Sequence, residues 1–189
     1  MSYLDLSQLK LKGEYFAVYD NVLPQQLLAK LALICKNSAF EQVNRSGSEK
    51  DYSMLVFNDL NKIRKAKDIN NFFNSLLSEN FLDFIKDNFA VKLSGQTEVN
   101  FWKYARGHFL DRHLDKEYKK ITFLFYLTEN WQESNGGELV VECQNSGKNH
   151  KIFPHYNRLV ILKRTNASWH EVKKVTGDQP RNCLQIIYK

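Results

Sequence analysis

Eight short β-rich runs follow one another from Glu98 to the end of the chain, and they restrict the fold more than any other feature of the sequence. Turn signals such as NGG, NSGKN and TGDQP separate them. Many short strands at roughly even spacing are typical of a β-sandwich or a barrel-like jelly roll. In chain order the runs are EVNFWKY, HFLDRHLD, ITFLFYL, ELVVE, KIFPH, RLVILK, SWHEVKK and RNCLQIIY.

Helical patterns dominate the preceding part of the chain. One strand is predicted at Glu14–Asp20, and a helix begins at Pro24, because the leucines that follow have helical spacing. Ile69–Phe89 has a similar apolar pattern, and the polar stretch Asn44–Ser53 between the two helical runs predicts a loop. We expect Arg45–Asp59, which includes most of this loop, to form a lid over the functional site.

These patterns predict one α+β domain over residues 1–189. Residues 1–95 would form a helical support layer, and residues 96–189 a double-stranded β-helix, or jelly roll, of about eight strands. Composition agrees with a globular protein, because 43% of the residues are hydrophobic and 25% are charged. No apolar run approaches the ~20 residues that span a bilayer.

Charge and cysteine usage limit the expected location and partners. The chain carries a net charge of +6, and its densest basic stretch is Asn61–Lys67, which we interpret as a solvated helix face and not as a nucleic-acid patch. The N-terminal residues lack the apolar core of a signal peptide. Cys35, Cys143 and Cys183 lack metal-binding spacing, so we expect free thiols in the cytoplasm. The oligomeric state is left open.

The motif HLD places His113 and Asp115 two residues apart on a predicted strand. Side chains at positions i and i+2 of a strand share a face, so imidazole and carboxylate can converge on one metal ion. Asp111 also lies two positions from His113, and spacing alone allows either carboxylate. His170 lies on another predicted strand, and two imidazoles with one carboxylate form the facial triad of non-haem Fe(II) oxygenases.

Arg181 follows His170 across the turn TGDQP, on the last predicted strand. A guanidinium inside a mostly apolar barrel is costly unless it meets a carboxylate, ideally as a bidentate pair. The distal carboxylate of 2-oxoglutarate would be such a partner. The alternative is an ordinary arginine that faces solvent.

Several blocks in this order resemble the prolyl-4-hydroxylase-like branch of the 2-oxoglutarate/Fe(II)-dependent oxygenase superfamily. YARGHFLDRHLD is similar to the Tyr–Gly–His-x-Asp block of that branch. ITFLFYLTENW and NGGELVV resemble its next two strands with the Gly-Gly turn between them, and NRLVILKR, SWHEV and the final arginine strand complete the similarity. The resemblance extends from about Glu98 to Lys189.

The resemblance implies a role for six residues. The family order of His before Asp favours Asp115 over Asp111 as the carboxylate ligand. The implied iron ligands are His113, Asp115 and His170, the implied anchor of 2-oxoglutarate is Arg181, and the implied hydroxyl donors to its carboxylates are Tyr104 and Tyr126.

The activity implied by the resemblance is that of a dioxygenase. It would use Fe(II), 2-oxoglutarate and dioxygen, with ascorbate as an optional reductant, to hydroxylate an unactivated carbon while 2-oxoglutarate is decarboxylated to succinate. The implied substrate is a prolyl residue of a protein, or a free amino acid or other small metabolite. Two alternatives stay open, namely a nucleic-acid dealkylase with the same cofactors and a degenerate, non-catalytic barrel that acts as an interaction module.

Overall fold

The computed structural model describes residues 3–5, 9–11, 15–47, 50–143 and 147–189. Four helices and eleven strands lie within these ranges. In chain order they are β1 Phe16–Asp20, α1 Gln25–Asn37, β2 Glu41–Arg45, β3 Tyr52–Phe57, α2 Leu60–Ile63, α3 Lys67–Leu76, α4 Glu79–Phe89, β4 Thr97–Tyr104, β5 Phe109–His113, β6 Ile121–Tyr126, β7 Leu139–Cys143, β8 Lys148–Ile152, β9 Arg158–Lys163, β10 His170–Val172 and β11 Arg181–Tyr188.

The strands form one curled antiparallel sheet in the order β1-β9-β6-β11-β4-β3-β5-β10-β7-β8, with β2 paired to β3 outside this path. The eight strands predicted from Glu98 onward are all present, as β4 to β11. The sheet curls into a half-barrel, with helices on one side. This architecture agrees with the predicted α+β jelly roll.

Strand β6 separates the two apolar cores of the protein, because its side chains alternate between the two faces of the sheet. Phe123 and Phe125 face the helices: the Phe72 ring of α3 lies 5.9 Å from Phe125, and the Phe81 ring of α4 lies 6.0 Å from Phe123. Leu124 belongs instead to the core inside the half-barrel. The helical layer therefore supports the sheet from outside and leaves its inner face free.

The N-terminal half contains more strand than the sequence predicted. The predicted loop Asn44–Ser53 is the connection of a hairpin in which Glu41–Arg45 pairs with Tyr52–Val56. The expectation was wrong at both ends of the loop, which are strand, and part of the loop lies outside the described residues. The hairpin escapes notice because β2 has one apolar residue, Val43, in five. Predicted residue Glu14 also lies outside the described part, and the strand there begins at Phe16.

The helical pattern over Ile69–Phe89 forms two helices and not one. Helix α3 ends at Leu76, and α4 begins after Ser78, whose hydroxyl accepts a hydrogen bond from the backbone N–H of Phe81 at 3.3 Å. A serine at this position favours a helix start because it satisfies a backbone donor that has no partner within the helix. Ser78 is a local signal for a helix start, but the apolar spacing continues across it and therefore predicted a single helix.

Three other expectations concern the surface and the thiols. The basic stretch Asn61–Lys67 is mostly exposed, as expected for a solvated helix face, although Ile63 within it is buried. None of the three cysteines forms a disulfide bond with another described residue. Within the described ranges, no helix combines the length and the apolarity that crossing a membrane requires.

Replacing Phe72 by alanine should lower the free energy of unfolding by about 3–5 kcal/mol, because a fully buried aromatic side chain is removed and a cavity is left behind. Urea denaturation followed by circular dichroism measures this change. Leu33→Ala on α1 is the control: that side chain is 52% exposed, and its loss should change stability by no more than about 0.5 kcal/mol. Equal losses in the two variants would contradict the proposed packing.

Candidate metal centre

His113 and His170 face each other across two neighbouring strands. His113 ends β5, His170 begins β10, and they are direct partners in the antiparallel register. Their rings lie 4.3 Å apart, measured between centroids, and the residues are 6% and 7% exposed. Each Nδ1 lies within hydrogen-bond distance of a backbone carbonyl, that of Asp111 at 2.8 Å and that of Ser168 at 2.9 Å. With the proton on Nδ1, each Nε2 keeps a lone pair for a metal.

Asp115 lies just beyond the end of β5 and completes the cluster. Its Oδ1 is 3.9 Å from Nε2 of His113, and its Oδ2 is 4.0 Å from Nε2 of His170. The three ligand atoms all lie within 4.8 Å of one another, and no other such group of three occurs among the described residues. The arrangement is compact enough for one divalent ion to contact all three side chains.

The protonation states suit a cation. Burial, with help from neighbouring His170 and Lys50, lowers the pKa of His113 to about 3, so this imidazole is neutral at neutral pH. Burial alone would raise the pKa of Asp115, but His170 and Lys119 outweigh it and hold that pKa below its ordinary value. A neutral imidazole and an ionised carboxylate are the forms that bind a metal.

A β-bulge removes Asp111 from the cluster. Between the paired positions His170–His113 and Val172–Leu110 the register shifts, so β5 has one more residue than β10 opposite it. The alternation of side chains is therefore interrupted at Asp111, which is exposed. Its Oδ2 accepts a hydrogen bond from the backbone N–H of Asp51 at 3.3 Å. The simple two-residue spacing could not distinguish the two carboxylates, whereas the folded chain brings only Asp115 to the imidazoles.

Arg181, the first residue of β11, is buried without an acidic partner. It is 1% exposed, its Nη2 donates to the hydroxyl of Tyr126 at 3.0 Å, and its Nη1 lies 3.7 Å from Sγ of Cys183. Its Nε has no hydrogen-bond partner. None of the ion pairs among the described residues includes this guanidinium. A buried cation in this state is costly, and an anionic ligand would offset that cost.

Tyr104 and Tyr126 take different positions around this arginine. The Arg181 guanidinium lies 4.9 Å from the ring centroid of Tyr104 and 4.8 Å from that of Tyr126, which are cation–π distances. Tyr104 lines the same cavity as the His-Asp-His cluster, and its hydroxyl lies 3.5 Å from Sδ of Met54. Tyr126 is not among the lining residues, and its hydroxyl oxygen accepts a hydrogen bond from Arg181. Tyr104 can therefore reach a ligand, whereas Tyr126 contacts the arginine.

The turn Gly136–Gly137 contacts the arginine side chain from another direction. Both glycines have positive φ, +68° and +63°. A Cβ on Gly137 would lie 3.3 Å from Cδ of Arg181 and 3.0 Å from Cγ2 of Val175. The absence of a side chain at Gly137 thus leaves the space that the methylenes of Arg181 occupy.

One cavity of about 350 Å³ connects the His-Asp-His cluster with Arg181 and Tyr104. Its described lining comes from both sides of the half-barrel and includes His113, Asp115, His170 and Arg181. The segment Arg45–Asp59, expected to cover the site, contributes Arg45, Lys50, Tyr52 and Met54 to this lining, and its movement as a lid stays a prediction. The sequence interpretation missed Val43 of β2, Trp102 of β4 and the segment between β5 and β6, because contacts between distant segments have no local pattern. The missed residues of that segment are Lys116, Tyr118 and Lys119.

Comparison with known protein families and sequences identifies related proteins. A model of the 2OG-Fe(II) oxygenase superfamily matches residues 99–189. Prolyl 3-hydroxylase OGFOD1 of Xenopus laevis is 26% identical in an alignment 134 residues long that covers 64% of this chain and 26% of that protein. For the Mus musculus protein of the same name the identity is 24% in an alignment 136 residues long that covers 65% of this chain and 25% of that protein. The chain thus spans about a quarter of the length of these curated relatives.

Solved structures share the fold. A prolyl-4-hydroxylase of Pseudomonas putida superposes with a TM-score of 0.73 at 21% identity, over 92% of this chain and 91% of that one. A prolyl hydroxylase from Trichoplax adhaerens was solved with a peptide fragment of the hypoxia inducible factor oxygen degradation domain. It superposes with a TM-score of 0.72 at 18% identity, over 99% of this chain and 88% of that one. These similarities confirm the predicted jelly-roll fold.

Asp115→Ala should weaken Mn(II) binding by at least about 10-fold, since the loss of a direct ligand should cost no less than the loss of a residue that supports one. Asp111→Ala is the matched control, because it removes the same group two residues from His113 but outside the cluster, and it should bind Mn(II) as the wild type does. Isothermal titration of both variants measures the affinities. If Asp111→Ala lost Mn(II) affinity and Asp115→Ala kept it, the carboxylate ligand would be Asp111 and not Asp115.

Gly137→Ala should weaken the binding of 2-oxoglutarate to the Mn(II)-loaded protein, because the new methyl group crowds the side chain of Arg181. Gly147→Ala controls for backbone strain: Gly147 has a similar φ of +61°, but a Cβ there would have no other atom within 4 Å. Each variant should lose roughly 1–2 kcal/mol of stability from the left-handed backbone, whereas only Gly137→Ala should alter the 2-oxoglutarate titration. If both variants weakened 2-oxoglutarate binding equally, the proposed effect of Gly137 on Arg181 would be contradicted.

Proposed function

We propose that the chain is a member of the 2OG-Fe(II) oxygenase superfamily, whose model matches residues 99–189, and that it is an Fe(II)- and 2-oxoglutarate-dependent hydroxylase of a prolyl residue in a protein. Its motifs resemble those of the prolyl-4-hydroxylase-like branch, and the sequence relatives are named as prolyl 3-hydroxylases, which supports the choice of substrate. A free amino acid or another small metabolite is the second substrate class.

The observation that carries this proposal is the buried, unpaired guanidinium of Arg181 in the same cavity as His113, Asp115 and His170. 2-Oxoglutarate has two carboxylates, so one end can bind beside the metal while the other pairs with the arginine. The orphaned Nε of Arg181 supplies a donor that such a carboxylate would satisfy. Two other arginines of the C-terminal half are engaged: Arg158 binds Asp20, and Nε of Arg164 donates to the backbone carbonyl of Asp115 at 2.5 Å. Arg45, which also lines the cavity, is exposed.

Each group has a distinct part in this mechanism. His113, Asp115 and His170 would hold Fe(II) on one face and leave positions for the other reactants. With 2-oxoglutarate and dioxygen, the bound iron supplies the oxidising power for hydroxylation of a carbon, coupled to formation of succinate and carbon dioxide. The charge of Asp115 offsets part of the metal charge, and Arg181 orients the co-substrate.

The tyrosines and leucines around the site would have supporting roles. Tyr104 can donate its hydroxyl to a carboxylate of the bound co-substrate, because burial raises its pKa and keeps it protonated. Tyr126 holds the guanidinium through its hydroxyl. Apolar lining residues restrict water around the reacting groups, which strengthens the electrostatic contacts between them; these residues are Leu110, Leu124, Leu139 and Leu162.

The purified protein should form succinate from 2-oxoglutarate in an Fe(II)-dependent reaction, and Arg181→Ala should raise the KM for 2-oxoglutarate by about 30- to 1000-fold. That range corresponds to about 2–4 kcal/mol for a bidentate, charge-assisted pair in a poorly hydrated pocket. Arg181→Lys should retain part of the affinity, since lysine keeps the charge but not the planar fork. The rate of succinate formation, measured over a range of 2-oxoglutarate concentrations, gives the KM of the wild type and of both variants.

Mn(II) binding is the control for this comparison, and it should be nearly unchanged in Arg181→Ala. A wild-type KM in that variant would place the anchor elsewhere. A wild-type protein that binds Mn(II) but forms no succinate with any peptide or metabolite would instead favour the non-catalytic barrel.

A further inference from the structure

Four cationic side chains line the open end of the cavity. Arg45 ends β2, Lys50 lies in the connection of the β2–β3 hairpin, and Lys116 and Lys119 lie between β5 and β6. Arg45 and Lys116 are exposed, whereas Lys50 and Lys119 are half-buried. We call these four residues the basic mouth.

In the described lining of the cavity, the cationic side chains of the basic mouth outnumber the acidic ones. Among the described lining residues, Asp115 is the one acid, and Lys119 lies 3.3 Å from it. The pKa of Lys50 is lowered by burial and further by Lys119, Arg45 and Lys116, although Asp115 opposes the shift. The cations are therefore close enough to repel one another.

The co-substrate would not neutralise this charge. On the proposed function, two positive charges on Fe(II) and one on Arg181 are balanced by one negative charge on Asp115 and two on 2-oxoglutarate. The loaded metal centre is thus formally neutral, and the basic mouth keeps its positive charge. A partly enclosed site with one sign of charge attracts ligands of the opposite sign.

The distribution of the cations favours an extended ligand. They belong to two separate segments, the β2–β3 hairpin and the segment between β5 and β6, and the lining near them contains the aromatic side chains of Tyr52, Trp102 and Tyr118. A free amino acid offers too few acidic groups to meet both segments. Nucleic-acid strands are bound by cations along a continuous groove, whereas these cations surround one cavity.

We propose that this site accepts an acidic peptide segment, whose Asp or Glu side chains contact the basic mouth while the residue to be hydroxylated enters the cavity. The inference rests on the proposed function and specifies its substrate class. The β2–β3 hairpin would then bind the substrate as well as border the metal site, whether or not it moves as the predicted lid.

Two fluorescein-labelled peptides of about 12 residues, roughly 40 Å when extended, provide the test. Each has one proline, flanked by glutamates in the first peptide and by glutamines in the second. Fluorescence anisotropy with Mn(II)- and 2-oxoglutarate-loaded protein should show about 10-fold tighter binding of the acidic peptide at about 0.1 M salt. The preference should shrink at about 1 M salt, where the screening length falls from about 10 Å to about 3 Å.

Charge removal at the mouth should reduce the preference. Arg45→Gln/Lys116→Gln, which removes two of the four cations, should lose most of it, whereas Lys65→Gln/Lys67→Gln, which removes two exposed charges outside the cavity lining, should keep it. Equal preferences in the two double variants would overturn the inference. Equal binding of the two peptides by the wild type would overturn the inference, as would tighter binding of an oligothymidine of the same length. Mn(II) and 2-oxoglutarate titrations without peptide report separately on the proposed function, and their failure would overturn both.

Discussion

The register of β10 against β5 is the constraint on which the candidate site depends. It puts two imidazoles directly opposite each other, and a slip of one residue would turn one of them to the opposite face of the sheet. β10 has only three residues, but β5 and β7 pair with it on both sides and hold it in place. The β-bulge between Leu110 and His113 interrupts the alternation of side chains at Asp111, and Asp115, just beyond the end of β5, completes the cluster. Backbone pairing of β5 with β10 thus sets the positions of the two imidazoles.

Local patterns in the sequence were sufficient for the strands after Glu98, because alternation, turn residues and the order of the motifs can be read from consecutive residues. The same reasoning found His113, His170 and Arg181 but could not choose between Asp111 and Asp115, since a bulge depends on the partner strand. It missed the β2–β3 hairpin, where one apolar residue in β2 gave too weak a signal. The charge of the cavity mouth was equally hidden, because its residues come from distant segments.

The buried arginine shows how the protein tolerates a group that should destabilise it. Two tyrosine rings, one hydroxyl and one thiol surround the Arg181 guanidinium and offset part of the lost hydration. A carboxylate ligand would supply the missing ionic partner. Any such ligand binds the folded chain but not the unfolded one, so it also stabilises the fold. Gly137 leaves room for the methylenes of Arg181 by lacking a side chain, so the Gly-Gly turn packs against this arginine.

The alternation along β6 has an evolutionary consequence. Phe123 and Phe125 anchor the helices, whereas Thr122 and Leu124 face the cavity. Because adjacent positions serve opposite faces, a mutation that reshapes the cavity need not disturb the packing of the helical layer, and the reverse also holds. A lineage can therefore exchange one substrate for another through single changes on the inner face, while purifying selection on foldability acts on the residues between them.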